Sequence, residues 1–245
     1  MTNTPTDNNQ AWLSQTHLTR PGCFITGTDT DVGKTYISAC LAATLVAHGI
    51  TVAPRKPIAS GCVRQLNGDL LSTDALALQC AAKSLEPLDV IGRYTLEPAI
   101  SPHLALAHAG LNITINDLYQ ACSVPNNHFA LIEGAGGFYS PMASDGFNKN
   151  LAMRLGYPII LVVGNQLGCI NHTLLTVEAI EASGLSLLAI VVNHLQPGDF
   201  SQGLAQFTHY PIFSVAFNPS QTPVMLSPKL IELLSHQDNS MQTKV

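Results

Sequence analysis

Nine residues, GTDTDVGKT from Gly27 to Thr35, hold the first chemistry in this chain. A glycine-rich turn ending in Lys-Thr can offer backbone N–H groups, an ammonium and a hydroxyl to a single anion. The usual phosphate-binding loop puts four residues between its first Gly and the Gly-Lys-Thr. Here five stand between Gly27 and Gly33. The context is still that of a phosphate loop. Cys23 to Thr26 is a short apolar run that reads as a strand, and Lys34 to His48 has helical apolar spacing, stopped by Gly49. N–H groups at a helix start point at an anion, and the helix dipole adds to the attraction. Gly33 lets the backbone approach phosphates, Lys34 reaches the β and γ phosphates, and Thr35 offers its hydroxyl to Mg²⁺. Partitioning ATPases of the deviant type carry a second Lys early in the loop; Thr28-Asp29-Thr30 has none.

Other chemistry-bearing residues fall where strands end. Lys56, in RKPIASG, follows a predicted second strand at Thr51 to Ala53, and a compact ammonium there suits a developing anion. Asp74, in STDALAL, is either a first-turn acid favoured by the helix dipole or a Mg²⁺ ligand. Glu133 ends an apolar strand and precedes Gly134-Ala135-Gly136-Gly137, a run that permits close backbone approach to a ligand. An acid at that place can hold the Mg²⁺ that bridges phosphates. Asn193 ends another strand and either reads a base or caps a loop. Residues 168–173, GCINHT, open a helix that could hold a second anion or simply be capped by Asn171.

The elements that position these residues alternate along the chain. Strands are expected at Phe129 to Ile132, Pro158 to Val163, Leu187 to Val192 and Ile212 to Val215, with helices from Ser72 to about Lys83 and from about Ile170 to Ala182. Continuous apolar strands alternating with helices predict a parallel sheet covered on both faces. Such sheets bind ligands at the carboxyl ends of their strands. The expected fold is therefore α/β: one P-loop NTPase-like domain over 21–245, with helices on both faces of a parallel sheet. Residues 1–20, which include the single Trp12, read as a flexible N-terminal extension.

Composition narrows the function classes. Of 245 residues, 46% are hydrophobic and 11% charged, with a formal net charge of −5 and no basic run, so a nucleic-acid partner is not expected. Six cysteines form no C-x-x-C pair and read as buried, reduced thiols. Nine histidines show no metal-ligand spacing. No stretch reaches the ~18 apolar residues of a membrane span. The polar start, MTNTPTDNNQ, lacks the regions of a signal peptide. A cytoplasmic protein with no membrane partner is the expectation.

Taken in order, GTDTDVGKT, KPIASG, TDALAL, SPH at 101–103, EGAGG and LGCINHT closely resemble the dethiobiotin synthetase family, which uses the long loop. The match runs from about Cys23 to Asn193. The resemblance implies ATP- and Mg²⁺-dependent carboxylation of 7,8-diaminononanoate with CO₂. One amine becomes a carbamate, ATP phosphorylates it to a carbamic-phosphoric anhydride, and the second amine closes the ring to dethiobiotin, releasing ADP and phosphate. It implies nucleotide contacts from Asp31, Val32, Gly33, Lys34, Thr35, Tyr36, Asp74, Glu133, Gly134, Ala135, Gly136, Asn193 and His194. Thr35, Asp74 and Glu133 would hold Mg²⁺, and Lys56 with Lys34 would be catalytic. Thr30 and Ser60 would contact the diamine, and Cys169, Ile170 and Asn171 would meet its carboxylate from the partner subunit of a homodimer. Three places depart from the family pattern. Asp31 stands for Glu, Asn150 replaces an acid, and Ser214-Val215-Ala216-Phe217, followed by Pro219, replaces a Gly-x-Ile-Pro-like loop on the adenine side. The competing readings are an amidotransferase synthetase of the cobyrinic acid type, a switch ATPase, and a paralogue that only binds nucleotide. The chain is too short for the glutaminase domain the first would need.

Overall fold

The structure is a computed structural model that describes residues 21–235. The expected N-terminal extension, with Trp12, and the last ten residues lie outside the described part. Six strands form the central sheet: β1 (Gly22–Gly27), β2 (Val52–Arg55), β3 (Phe129–Gly137), β4 (Ile159–Gly164), β5 (Leu187–Asn193) and β6 (Ile212–Val215). Their order is β6-β5-β4-β1-β3-β2, and every pairing is parallel. The helices are α1 (Lys34–Ala47), α2 (Thr73–Ala81), α3 (Leu88–Ile91), α4 (Pro102–His108), α5 (Ile115–Ala121), α6 (Asn148–Leu155), α7 (Cys169–Ala182) and α8 (Pro228–Ser235).

The sheet is buried on both faces, which is why its strands are continuous apolar runs rather than alternating ones. Successive residues point to opposite sides. Cys23, Ile25, Leu131, Ile160, Val162, Ala189 and Val191 pack with Ile37, Leu41 and Leu45 of α1 and Leu230 and Leu234 of α8. Phe24, Ile132, Leu161, Val163 and Ile190 pack with Leu106 of α4, Leu118 of α5, Leu151 of α6 and Ile180 of α7. Helix α2 packs on α1 and on the edge strand β2. After β1 the chain goes out to β2 and returns through β3 between them, whereas β4 lies on the other side of β1. The crevice of the sheet therefore opens at the carboxyl end of β1.

Local signals account for the element ends. Ser72 Oγ accepts from Ala75 N at 3.1 Å and starts α2, as expected. Thr114 and Asp117 form a reciprocal capping box on α5. Gly49, at φ 79°, takes the left-handed turn that stops α1. Ile58–Ala59 pairs in parallel with Tyr94–Thr95. Two expectations are corrected. The strand does not end at Glu133, because β3 continues through the glycine run to Gly137. Helix α7 is not capped by Asn171, which is exposed in its first turn; the N-cap is Gly168. The cysteines are free, and all but Cys80 are buried. Burial pushes the Cys23 thiol up and that of Cys122 up to about 12, so both stay protonated. Among the described residues no helix is long and apolar enough to cross a membrane.

Candidate active site

The loop from Gly27 to Gly33 joins the carboxyl end of β1 to the start of α1. Asp31 (φ 58°) and Gly33 (φ 85°) both take left-handed backbone conformations. Asp is among the few residues that visit this region at low cost, and Gly33 is the N-cap of α1. With no side chain among the described residues capping α1, its first N–H groups remain available to an anion. The Lys34 ammonium folds back onto the loop, 2.7 Å from the Asp29 carbonyl. Burial, then the neighbouring Lys56, lower its pKa to about 8.

Four elements converge beside it. Thr35 Oγ1 on α1 donates to Glu133 Oε1 on β3 at 2.7 Å. Lys56, just past β2, donates to the same oxygen at 2.6 Å and to the Gly134 carbonyl at 3.1 Å. Its ammonium also lies 2.9 Å from Asp74 Oδ2 at the start of α2. Burial alone would drive Lys56 toward its neutral form, but Glu133 and then Asp74 outweigh it and hold the ammonium above the usual lysine range. Asp74 responds in mirror image: burial favours its acid form, yet Lys56 overrides this and keeps the carboxyl below its ordinary range. Glu133 is wholly buried, and its Oε2 has no hydrogen-bond partner among the described residues. An orphaned carboxylate oxygen is costly unless something else engages it. With the Thr35 hydroxyl and the Asp74 carboxylate it makes a set of hard oxygen donors that fits Mg²⁺.

An open cleft of about 480 Å³ lies over this cluster. Its lining brings together Thr30, Asp31, Gly33, Lys34, Thr35, Tyr36, Lys56, Ser60, Asp74, Ala135, Gly136, Asn193 and His194. Val32 and Glu133 lie buried beneath it, and Gly134 meets it through the carbonyl that Lys56 holds. Cys169, Ile170 and Asn171 are not on this cleft. Cys169 is buried and donates its thiol to the Phe200 carbonyl at 3.2 Å. The Ser101 and His103 of SPH bond each other at the start of α4, also off the cleft. Asn193 neither caps its own loop nor stands free: its amide donates to the Val32 carbonyl at 3.1 Å, tying the end of β5 to the phosphate loop.

Sequence reasoning missed several participants. Ala59, Leu195, Asn218 and Gln221 complete the cleft with Phe217. Asn218 donates to the Tyr36 hydroxyl at 3.3 Å. Arg55 is only 2% exposed and makes a bidentate pair with Glu86, at 2.8 and 2.7 Å, directly before Lys56. The fully buried Asn165 accepts from Phe200 N and Ser201 N and bonds the Gly198 carbonyl and His194. Arg55 and Asn165 are ordinary polar residues in the sequence, and only burial marks them out. The departures have local roles: Asn150 Oδ1 accepts from Phe147 N at the start of α6, and Ser214 Oγ meets His194 Nε2 at 2.7 Å.

A long phosphate loop on a parallel α/β sheet, with a buried acid and two lysines at the strand ends, defines an ATP-utilising P-loop enzyme. A family model described as an AAA domain matches residues 22–221. The chain belongs to that family and, within it, to the ATP-dependent dethiobiotin synthetases. It is 36% identical over 197 residues to ATP-dependent dethiobiotin synthetase BioD of Ruthia magnifica subsp. Calyptogena magnifica, covering 80% of this chain and 91% of that one. To the protein of the same name from Chromohalobacter salexigens it is 43% identical, over 71% of this chain and 75% of that one. For the one from Pseudoalteromonas translucida the values are 34%, 82% and 91%.

Proposed function

We propose that this chain is the ligase that carboxylates 7,8-diaminononanoate with CO₂ and closes the cyclic urea of dethiobiotin, consuming ATP. One observation carries the reading: Lys34, Thr35, Lys56, Asp74 and Glu133 meet at one end of a phosphate loop, in a chain of the dethiobiotin synthetase family.

The helix start and Lys34 bind the triphosphate, Lys34 leaving the Asp29 carbonyl for the β and γ phosphates. Thr35, Asp74 and Glu133 would hold Mg²⁺, which supplies charge neutralisation across the phosphates when bound. Lys56 lines the cleft, with its ammonium against the buried Glu133 carboxylate. It faces the substrate carbamate, N–COO⁻, formed from one amine and CO₂ with loss of a proton. A carbamate oxygen attacks the γ phosphorus, and the bond to the β-phosphate oxygen breaks, so ADP leaves. Lys56 stabilises the negative charge on the phosphoryl group in flight, and its burial strengthens that interaction. The second amine then adds to the carbamoyl carbon, phosphate departs with the C–O electrons, and a proton is lost. Thr30 and Ser60, which both line the cleft, position the diamine. No side chain forms a bond to substrate; the protein contributes orientation and charge placement.

Cys169, Ile170 and Asn171 lie off the cleft of their own chain, so their part in holding the substrate carboxylate requires a second copy. A homodimer in the cytoplasm is the assembly this reading calls for. The test is ATP turnover by purified protein with Mg²⁺ and bicarbonate, with and without 7,8-diaminononanoate, and mass detection of dethiobiotin. Diamine-dependent turnover that yields dethiobiotin is expected; turnover indifferent to the diamine, with no such product, rules the reading out.

A further inference from the structure

Asn148, the first residue of α6, is wholly shielded from solvent and touches three parts of the site's floor. Its Nδ2 donates to Thr26 Oγ1 on β1 at 3.1 Å and to the Gly137 carbonyl at the end of β3 at 3.2 Å. Its Oδ1 has no hydrogen-bond partner among the described residues. The same amide lies against Gly134, where an added Cβ would come within 2.8 Å of Asn148 Cγ.

Those contacts bracket an irregularity in the sheet. Ile25 on β1 pairs with Glu133 on β3, but Gly27 pairs with Gly137. Two steps along β1 thus answer four along β3, and the residues between bulge out of register. The bulge is where the chemistry sits. Glu133 begins it, the Gly134 carbonyl accepts from Lys56 at 3.1 Å, and Ala135 and Gly136 line the cleft. Asn148 faces the start of this bulge and ties its end to β1.

We infer that Asn148 is a positioning residue for the reaction. It fixes the height of the Glu133–Gly137 bulge and, through the Gly134 carbonyl, the place of the Lys56 ammonium. The inference rests on the proposed function for its kinetic consequence, though not for the placement of Lys56. Core filling does not explain the residue. A buried amide with an orphaned oxygen is destabilising relative to a satisfied one, and an apolar side chain would avoid that cost. An Asp could not substitute, because its carboxylate would face the Gly137 carbonyl with no proton between them.

The test compares Asn148→Ala, Asn148→Ala with Gly134→Ala, and the pair Thr26→Val and Thr26→Ser. Displacing reacting groups by a fraction of an ångström to one ångström costs up to about 100-fold, so Asn148→Ala is expected to lower kcat by about 30-fold, with KM for ATP within about threefold. Acetylation of Lys56 by acetic anhydride, followed by mass spectrometry, should quicken in this variant, because a loosened Lys56 leaves its partners more often. Adding Gly134→Ala refills part of the space and should recover Tm without recovering kcat or Lys56 protection. Thr26→Ser keeps the acceptor and the rate, whereas Thr26→Val loses part of the rate. The inference is overturned if Asn148→Ala keeps native kcat and Lys56 labelling, or if the double variant regains kcat together with Tm. Should Asn148→Ala fail to fold, equal kcat in Thr26→Val and Thr26→Ser overturns it. Should the native protein make no dethiobiotin, the Lys56 labelling rates still decide the question.

Discussion

Lys56 Nζ lies 2.6 Å from Glu133 Oε1, with the two side chains 5% and 0% exposed, although 77 residues separate them in the chain. Withdrawing two charges from water costs several kcal/mol for each ion, which only close geometry and further partners repay. Here Asp74, Thr35 and the Gly134 carbonyl are those partners. The pair keeps a lysine charged in a place where burial alone would neutralise it, beside the uncapped start of α1.

Lys56→Met leaves Glu133 buried without a cation. Breaking a buried pair from one side typically costs about 3–5 kcal/mol, and Asp74, partly exposed, can relax. A loss of about 3 kcal/mol in urea unfolding without Mg²⁺ is expected, part of it recovered when Mg²⁺ is added. Product formation should fall by at least about 100-fold while ATP still binds. Native-like turnover would remove Lys56 from the catalytic set.

Lys34 gives ATP affinity a pH dependence whose sign is fixed. Its folded-state pKa is lowered to about 8, and bound phosphates favour the charged form and raise it. Below about pH 8 the ammonium is present before and after binding, so affinity is flat in this group. Above it, binding takes up a proton, and Kd rises by up to about tenfold per pH unit until the pKa of the complex is passed. Calorimetry in buffers of different ionisation enthalpy should detect that proton uptake near pH 9. Lys34→Met should bind ATP more weakly and lose the dependence.

Asn193→Ala frees the Val32 carbonyl from its 3.1 Å bond to the side-chain amide. A buried hydrogen bond is worth about 1 kcal/mol, so KM for ATP should rise about five- to tenfold, with kcat at saturating ATP little changed. A fall in kcat with KM intact would place Asn193 in the chemical step instead.

Arg55→Lys tests the support behind Lys56. The guanidinium holds Glu86 through two bonds and the Ser123 carbonyl through Nε at 2.9 Å, geometry a point-charge ammonium cannot copy. A loss of about 2–3 kcal/mol in chemical denaturation is expected from this partial breakage. An unchanged midpoint would mean that water replaces the fork at no cost.

Much of the site could be read from order and spacing. A strand, a glycine turn, Lys34-Thr35 and a helix have one local arrangement, and α1 obeys it. Glu133 was visible because an acid at the end of the apolar run Phe129–Ile132 has to emerge at the sheet's ligand edge. The continuation of the strand past it was not visible, since Gly weakens strands; pairing with β1 on one side overrode that preference. Helices α3 to α6 and α8 escaped notice because each has at most eight residues, too few turns to display a period. Asn148, Asn165 and Arg55 carried no signal, because being buried is a property of the folded neighbourhood and not of the residue.

The sequence by itself determined the phosphate loop, the alternation of strands and helices, and which residue types stand at the strand ends, because those depend on neighbours within a few positions. Only the tertiary structure decided which of them meet. The order β4-β1-β3-β2 sets the loop after β1 beside Glu133 and Lys56, and packing of α2 on β2 brings Asp74 to the same ammonium. Charge coupling decays over a few ångströms in a buried site, so such pairings exist only once the sheet has fixed those distances.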